Sequence, residues 1–178
     1  MAGTVTVIRN AQIVLENGIL WDGILLLDGD RILAYGSIDE MEGKIPENAE
    51  IIDAEGAYVG PGFVDIHVHG GGGCSTSFDP VEASEFFLSH GETSILATLS
   101  CNMPFEQFLA AIRSVKAAGE KARTIRGFYM EGPYMNPDRG CNAWKNPWRG
   151  PLNLGEINSS LGIWGRLCEE ICTLKMDF

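Results

Sequence analysis

Hydrophobic and polar positions alternate in short runs over the first 60 residues, a pattern typical of half-buried β-strands. Asn17-Gly18 and Asp28-Gly29 separate such runs, and these pairs favour two-residue hairpin turns because both central positions take positive φ. Two further short strands are predicted at 51–53 and 57–59. Residues 1–60 are therefore predicted to form a small β-domain, in which no catalytic cluster of side chains is recognisable.

The pattern changes after residue 60, where apolar strands begin to alternate with segments of helical spacing. The predicted elements are a strand from residue 61 that ends in two histidines, a helix from Pro80 to about residue 91, a strand at 93–99, a helix from about Pro104 to residue 119, and a strand at 124–130. Asp79 is predicted to cap the first of these helices, with Glu82 reaching back to it. This order predicts parallel strands with right-handed crossovers, as in a barrel or a doubly wound sheet.

The first of these strands ends in His67-Val68-His69, which is followed by four glycines at 70–73. Side chains alternate between the two faces of a strand, so both imidazoles point to the same side. They could share a metal ion, and the glycine backbone would then allow a sharp turn and the close approach of a substrate. A hydrogen-bonded polar pair at a strand end is the alternative.

Glu131 directly follows the third strand and precedes Gly132-Pro133, so the chain cannot continue at once as a helix. In parallel α/β folds the chemistry lies at the carboxyl ends of the strands. Glu131 is thus predicted on the same rim as the two histidines. It is either a third metal ligand or an ordinary surface glutamate.

Residues 134–151 form a long predicted loop that is rich in Asn, Pro, Gly and Trp. A loop of this length inside a compact domain is usually functional or disordered. Trp144 and Trp148, together with cationic side chains of the same loop, could form an aromatic-walled lip over a substrate anion. A solvated, exposed loop is equally consistent with the composition. Beyond it, a short helix is predicted over 161–174.

The charge and cysteine content limit the partners and the compartment that the sequence predicts. Thirteen Lys and Arg residues against 24 Asp and Glu residues give a net charge of −11. No basic run occurs, so neither nucleic acid nor an anionic membrane is a predicted partner. Five scattered cysteines, and a start that lacks the regions of a signal peptide, predict a cytoplasmic protein with reduced thiols.

The histidine strand and the Glu131-Gly132-Pro133 motif together resemble the amidohydrolase superfamily, and most closely its N-acetylglucosamine-6-phosphate deacetylase family. The resemblance extends from about residue 5 to residue 151. It implies an α/β protein with part of a small N-terminal β-sandwich at 1–60. Residues 61–178 would then hold the first three βα units of a TIM-type (β/α)8 barrel.

The resemblance also implies an activity and a ligand set. Members of this family remove acetate from N-acetylglucosamine 6-phosphate to give glucosamine 6-phosphate, in amino-sugar catabolism. His67, His69 and Glu131 match their metal ligands, which implies one or two divalent ions, Zn²⁺ before others. The full-length relatives are implied to be homodimers.

The substrate of such a protein would be a small-molecule amino-sugar phosphate, held in part by the loop after Glu131. The loop residues matched to substrate binding are Arg139, Cys141 and Asn142. In this family a histidine commonly stands at the position of Asn142 and contacts the sugar phosphate. The asparagine leaves open another amidohydrolase that acts on a different N-acetyl sugar or on a cyclic amide.

Length limits what the chain can do alone, since a TIM barrel needs about 250 residues and the chain has 178. The family's aspartate base and two further histidine ligands would lie beyond residue 178, and the one remaining histidine is His90. No catalytic base is therefore assigned in this chain. A truncated chain without deacetylase activity is predicted, and a non-catalytic fragment that binds a partner is the alternative from another class.

Overall fold

The computed structural model describes residues 4–131, 134, 145–148, 150–151 and 153–155. The chain divides into two compact units, Met1–Pro61 and Gly62–Phe178. The elements of the first unit are β1 (Thr6–Leu15), β2 (Gly18–Asp28), β3 (Arg31–Gly36), the short helix α1 (Ile38–Met41), β4 (Glu50–Asp53) and β5 (Tyr58–Val59). The predicted β-rich character of this region is confirmed.

The first unit is built on one sheet with the strand order β3-β2-β1-β4, and β5 also pairs with β1. Strand β2 is antiparallel to both β1 and β3, whereas β4 and β5 run parallel to β1. Buried apolar side chains from β1, β2 and α1, among them Val7, Leu26 and Met41, form a core on this sheet. A β-sandwich remains a prediction for this unit.

The two predicted hairpins exist, but their turns are one residue out of register with the sequence prediction. Leu15 pairs with Gly18, so that Glu16 and Asn17 are the turn residues, and Asp28 pairs with Arg31 around Gly29 and Asp30. Gly29 has a φ of +59°, at the first central position, where a type II′ turn requires glycine. Gly29 was therefore correctly identified as a turn residue, whereas Gly18 begins β2, and the prediction of positive φ at both central positions was wrong.

Helix α1 was not predicted, although its start carries a recognisable signal. Ser37 accepts a hydrogen bond from the Glu40 backbone N–H, and the Glu40 carboxylate accepts from the Ser37 backbone N–H. This reciprocal pair is the capping box Ser-x-x-Glu, which satisfies two backbone donors at a helix start. The motif predicts a helix start but no length, and only one turn follows.

The second unit alternates strands and helices as the sequence predicted. Its elements are β6 (Phe63–Val68), β7 (Gly70–Gly71), β8 (Cys74–Ser75), α2 (Pro80–Ser89), β9 (Glu92–Leu99), α3 (Phe105–Ala118), a 3₁₀ turn (Gly119–Ala122) and β10 (Ile125–Met130). Strands β6, β9 and β10 form a parallel sheet in the order β10-β9-β6. The mixed α/β class is therefore confirmed. The predicted helix at 161–174 lies outside the described residues.

The core of the second unit lies between this sheet and the two helices. Ala97 and Leu99 of β9 and Phe128 of β10 pack against α3, while Ile95 packs against α2. Successive side chains of a strand alternate between faces. The odd-numbered residues of β9 therefore face the helices, and the even-numbered residues face the opposite side of the sheet.

The glycine run folds into a small hairpin, as the predicted sharp turn requires. Strands β7 and β8 pair around Gly72 and Gly73, whose φ values of +62° and +86° match a type I′ turn. A Cβ atom on Gly71 or Gly72 would lie 2.4 Å from ring carbons of Phe86 on α2. The turn and the Phe86 ring both require glycine here, and the approach of a substrate stays a prediction.

The predicted cap of α2 is wrong in its chemistry, although the helix starts where predicted. Asp79 occupies the N-cap position before Pro80, but its side chain makes no capping hydrogen bond. Its carboxylate instead accepts from the backbone N–H of Ser75 at 3.1 Å. The hairpin that ends at Ser75 competes for the same oxygen.

No helix within the described residues is long and apolar enough to cross a membrane.

Candidate metal centre

Three parallel strands bring their carboxyl ends to one edge of the sheet in the second unit. His67 lies near the end of β6, His69 just beyond it, and Glu131 directly after β10. The Glu131 backbone N–H donates to the Leu99 carbonyl at 3.0 Å, so the hydrogen-bond ladder between β9 and β10 continues through this residue. Val68 packs towards α2, and the histidines on either side of it therefore point to the other face of the sheet.

On that face the three predicted ligands converge. Nε2 of His69 lies 3.4 Å from one carboxylate oxygen of Glu131, and Nε2 of His67 lies 3.9 Å from the other. The two imidazole rings meet edge to face, with centroids 5.4 Å apart. One ligand atom from each residue lies within 4.8 Å of the others, and in the described part of the chain this is the group that could hold a metal ion.

The donor set fits a small divalent cation. Two ligands of a tetrahedral zinc ion lie roughly 3.3–3.5 Å apart, because Zn–N and Zn–O bonds are about 2.0–2.1 Å long. The His69–Glu131 separation of 3.4 Å falls in that range. The side chains of His67 and His69 are 44% and 48% exposed and that of Glu131 is 25% exposed, so solvent reaches the group.

Neighbouring groups fix the backbone and the rings of the two histidines. The His67 backbone N–H donates to the Asp65 carboxylate at 2.8 Å, and the Tyr129 ring lies against the His67 ring with centroids 4.7 Å apart. Thr76 is fully buried and donates twice to the His69 carbonyl, through its N–H and its hydroxyl, both at 3.0 Å. The group is thus held by the strands and by the hairpin that follows β6.

Ser100 is a further neighbour of this group. It directly follows β9, and its hydroxyl lies 3.3 Å from Nδ1 of His69. Neither Ser100 nor Tyr129 was identified from the sequence. Alternation would have found both, since Tyr129 stands two residues before Glu131 and Ser100 follows the carboxyl end of the middle strand.

His90, the third histidine of the chain, lies apart from this group at the other end of the sheet. It follows α2 and precedes β9, and its Nδ1 lies 2.8 Å from the Phe86 carbonyl. Its ring lies against that of Phe86, with centroids 4.4 Å apart. His90 therefore belongs to the end of the helix.

The predicted substrate residues Arg139, Cys141 and Asn142 lie outside the described residues, as does Trp144. Trp148 is described, and it does not form a lip. It is 6% exposed, its indole N–H donates to the Met103 carbonyl at 2.8 Å, and its ring packs against Phe108. A tryptophan with these contacts is part of the core, because α3 covers its apolar surface and the Met103 carbonyl satisfies its one donor.

Comparison with known proteins gives N-acetylglucosamine-6-phosphate deacetylases that match over most of the chain. N-acetylglucosamine-6-phosphate deacetylase from Bacillus subtilis is 30% identical over 156 residues, 83% of this chain and 38% of that protein. A variant of the deacetylase from Mycobacterium smegmatis, solved in complex with N-acetyl-D-glucosamine-6-phosphate, matches with a TM-score of 0.65 at 26% identity. That match covers 92% of this chain and 42% of the solved one.

A second kind of relative matches a shorter stretch. A dihydroorotase from Staphylococcus epidermidis is 47% identical over 62 residues, 35% of this chain and 14% of that protein. No protein-family profile matches the chain. The chain thus spans less than half the length of these proteins, and its mixed α/β structure matches deacetylases of the amidohydrolase fold over that part. The resemblance to N-acetylglucosamine-6-phosphate deacetylases is confirmed at this level.

Proposed function

We propose that this chain carries part of the active site of a metal-dependent amidohydrolase, which removes acetate from N-acetylglucosamine 6-phosphate to give glucosamine 6-phosphate. The observation that carries the proposal is the convergence of His67, His69 and Glu131 at the carboxyl edge of a parallel sheet. Similarity to deacetylases over most of the chain supports the reaction class.

In this proposal the three side chains form the protein's share of a cation site. Neutral imidazoles supply nitrogen lone pairs, and the Glu131 carboxylate supplies a negative charge that offsets part of the charge of a divalent ion. Zn²⁺ suits a set of two nitrogens and one oxygen, as one ion or as part of a pair. When bound, such an ion lowers the pKa of water and polarises an amide carbonyl. Exposure of the group leaves room for the substrate amide beside it.

We further propose that additional polypeptide completes the site and the fold. Among the described residues β6 and β10 each pair with β9 alone in this sheet, so both outer edges are open to further strands. The relatives have more than twice the matched length, which supports a (β/α)8 barrel over 61–178 and beyond, next to a supporting β-domain at 1–60. The added part would bring a general base that activates water and protonates the leaving amine.

The loop after Glu131 is proposed to contact the amino-sugar phosphate through Arg139, Cys141 and Asn142. Arg139 offers a charge that can pair with a phosphate, and Asn142 offers an amide that can donate to one. A cytoplasmic location and a dimeric full-length protein complete the proposal.

Zinc binding by the purified chain tests the metal site. We expect binding by the wild type, and a loss of affinity of more than about 100-fold for His69→Ala and Glu131→Gln, because each removes a direct ligand. That exceeds the roughly 10–100-fold cost of changing a residue that only contacts a ligand. His90→Ala is the matched control, since His90 lies at the other end of the sheet. Titration calorimetry with zinc would measure all four proteins, and equal affinities would contradict the assignment.

An acetate-release assay tests the proposal that the site is shared with further polypeptide. The 178-residue chain with zinc is expected to give no release from N-acetylglucosamine 6-phosphate above that of Glu131→Gln. Release by the wild-type chain alone would show that no further group is needed. Zinc binding without any activity in a longer protein that restores the missing strands would favour a non-catalytic role.

A different amidohydrolase reaction is the second candidate, favoured by the 47% identity to a dihydroorotase over 62 residues. The histidine strand suits a cyclic amide as well as an acetamide, because it supplies metal ligands rather than substrate contacts. Initial rates on N-acetylglucosamine 6-phosphate, other N-acetyl sugars and dihydroorotate, measured on a protein with the complete site, would decide between the two.

A further inference from the structure

We propose that Ser100 is a positioning residue for His69: it pairs with Nδ1 of the imidazole and thereby presents Nε2 to the cation. The inference rests on the proposed metal site and adds to it a residue outside the ligand set. Ser100 stands between the two strands that carry the ligands, because β9 lies between β6 and β10 in the sheet.

The contacts of His69 point in two opposite directions. Its Nδ1 lies 3.3 Å from the Ser100 hydroxyl, and its Nε2 lies 3.4 Å from the Glu131 carboxylate. The first distance is at the long end for a hydrogen bond. One nitrogen is therefore occupied by the middle strand, and the other faces the remaining ligands.

The chemistry of imidazole makes this arrangement selective. A neutral ring has one N–H donor and one lone pair, and the hydrogen bond at one nitrogen decides which nitrogen carries the proton. When Nδ1–H donates to the Ser100 oxygen, the lone pair lies on Nε2, where Glu131 also points. Histidine ligands of metal ions usually donate their other N–H in this way, and the partner also fixes the ring rotation.

The backbone of His69 is fixed independently of Ser100. Buried Thr76 holds the His69 carbonyl with two hydrogen bonds, one from its N–H and one from its hydroxyl. Rotation about the side-chain torsions is the motion that these bonds leave open. Loss of the Ser100 hydroxyl should therefore change the ring orientation and its proton position without moving the strand.

The test compares Ser100→Ala and Ser100→Thr with Ser94→Ala as the matched control. Ser94 lies near the amino end of β9, the strand that Ser100 directly follows, and its hydroxyl accepts a hydrogen bond from Arg126 at 3.4 Å. In the metal-free chain, long-range ¹H–¹⁵N spectra report the tautomer populations of His69. We expect them to change in Ser100→Ala, and to stay near the wild type in Ser100→Thr and Ser94→Ala.

Zinc affinity provides the second readout. Ser100→Ala should weaken binding by about 10–100-fold, Ser100→Thr should restore it, and Ser94→Ala should leave it unchanged. Equal affinity in Ser100→Ala and the wild type, or an unchanged His69 spectrum, would overturn the inference while the metal site stands. Absence of zinc binding by the wild type would overturn the metal site and, with it, the role of Ser100.

Discussion

Polar side chains are used in opposite ways in the two units. In the first unit Asp53 accepts hydrogen bonds from the Glu55 backbone N–H and the Asn10 amide and pairs with Arg9, so that its carboxylate is surrounded by donors. In the second unit His67, His69 and Glu131 face a common space and are partly exposed. The Asp53 carboxylate has all its donors within the protein and stabilises a turn. The second group has no cationic partner among the described residues and can still bind a cation.

The difference lies in what surrounds each group rather than in residue type. A carboxylate in a ring of donors has its lone pairs occupied, and its negative charge is already balanced. His67 and Glu131 are 64 residues apart in the sequence. The two imidazoles and the carboxylate that meet here still have lone pairs to offer to a cation. Four sets of substitutions compare the two units, from the largest expected effect on stability to the smallest.

Phe108→Ala should cause the largest loss of stability and should confine it to the second unit. Phe108 is 1% exposed and packs against Trp148, with ring centroids 5.7 Å apart. Truncation of a buried phenylalanine costs about 3–5 kcal/mol. Amide hydrogen exchange should show faster opening of β9 and β10, while β1 and β2 keep their protection.

Met41→Ala in the core of the first unit is the counterpart of that substitution. Met41 is 1% exposed, and its truncation should cost about 2–5 kcal/mol, with faster exchange in β1 and β2. If either substitution raises exchange equally in all four strands, the two units unfold together, and the prediction that each substitution destabilises only its own unit is wrong.

Gly72→Ala and Gly29→Ala compare two turns of nearly equal φ, +62° in the second unit and +59° in the first. A methyl group at Gly29 meets open space, whereas one at Gly72 would lie 2.4 Å from a Phe86 ring carbon. Both variants carry left-handed backbone strain of about 1–2 kcal/mol, and Gly72→Ala adds about 1–3 kcal/mol of overpacking. Urea unfolding would measure both, and equal losses would mean that Phe86 shifts freely.

Asp53→Asn should give the smallest and the most pH-dependent effect. The Glu55 backbone N–H, followed by the Asn10 amide, lowers the pKa of Asp53 below its ordinary value of 3.8. A lowered folded-state pKa means that the carboxylate stabilises the fold above the unfolded-state value, and that this contribution is lost as the pH falls through the folded-state pKa. Asp53→Asn should therefore be less stable than the wild type at pH 7, and the two should converge below about pH 4.

Asp30→Asn is the charge-matched control for that series, because Asp30 lies exposed on the β2–β3 turn of the same unit. Midpoints of urea unfolding between pH 7 and pH 3 give the comparison. If the difference in unfolding midpoint between the wild type and Asp53→Asn stays constant over this range, the lower stability of the variant does not arise from the loss of the carboxylate charge.

The sequence predicted the elements of the second unit well, because hydrophobic periodicity is a local property. The bounds of α2, β9, α3 and β10 differ from the prediction by two residues or fewer. The meeting of His67, His69 and Glu131 also followed from the sequence, since the carboxyl ends of parallel strands share an edge.

Features that depend on contacts between distant residues were predicted less well. The Asp79 carboxylate was assigned to a helix cap, and the competing Ser75 N–H could not be foreseen without the β7–β8 hairpin. Trp148 was placed at a loop surface, but its indole finds a carbonyl partner on another segment at Met103. The Ser100–His69 contact depends on the β6–β9 register, which shifts between Asp65 and Val68 in a way that composition does not reveal.

The hydrogen bond from the Glu131 N–H to the Leu99 carbonyl fixes Glu131 at the end of the β9–β10 ladder. The last proposed ligand belongs to the sheet, whereas the residues proposed to bind the substrate, Arg139, Cys141 and Asn142, come after it in the sequence. Substitutions at 139–142 are therefore expected to leave the ligands in place, whereas Trp148 belongs to the core and has to be kept. A designer who seeks new substrates for this scaffold should vary residues 139–142 and keep both Glu131 and Trp148.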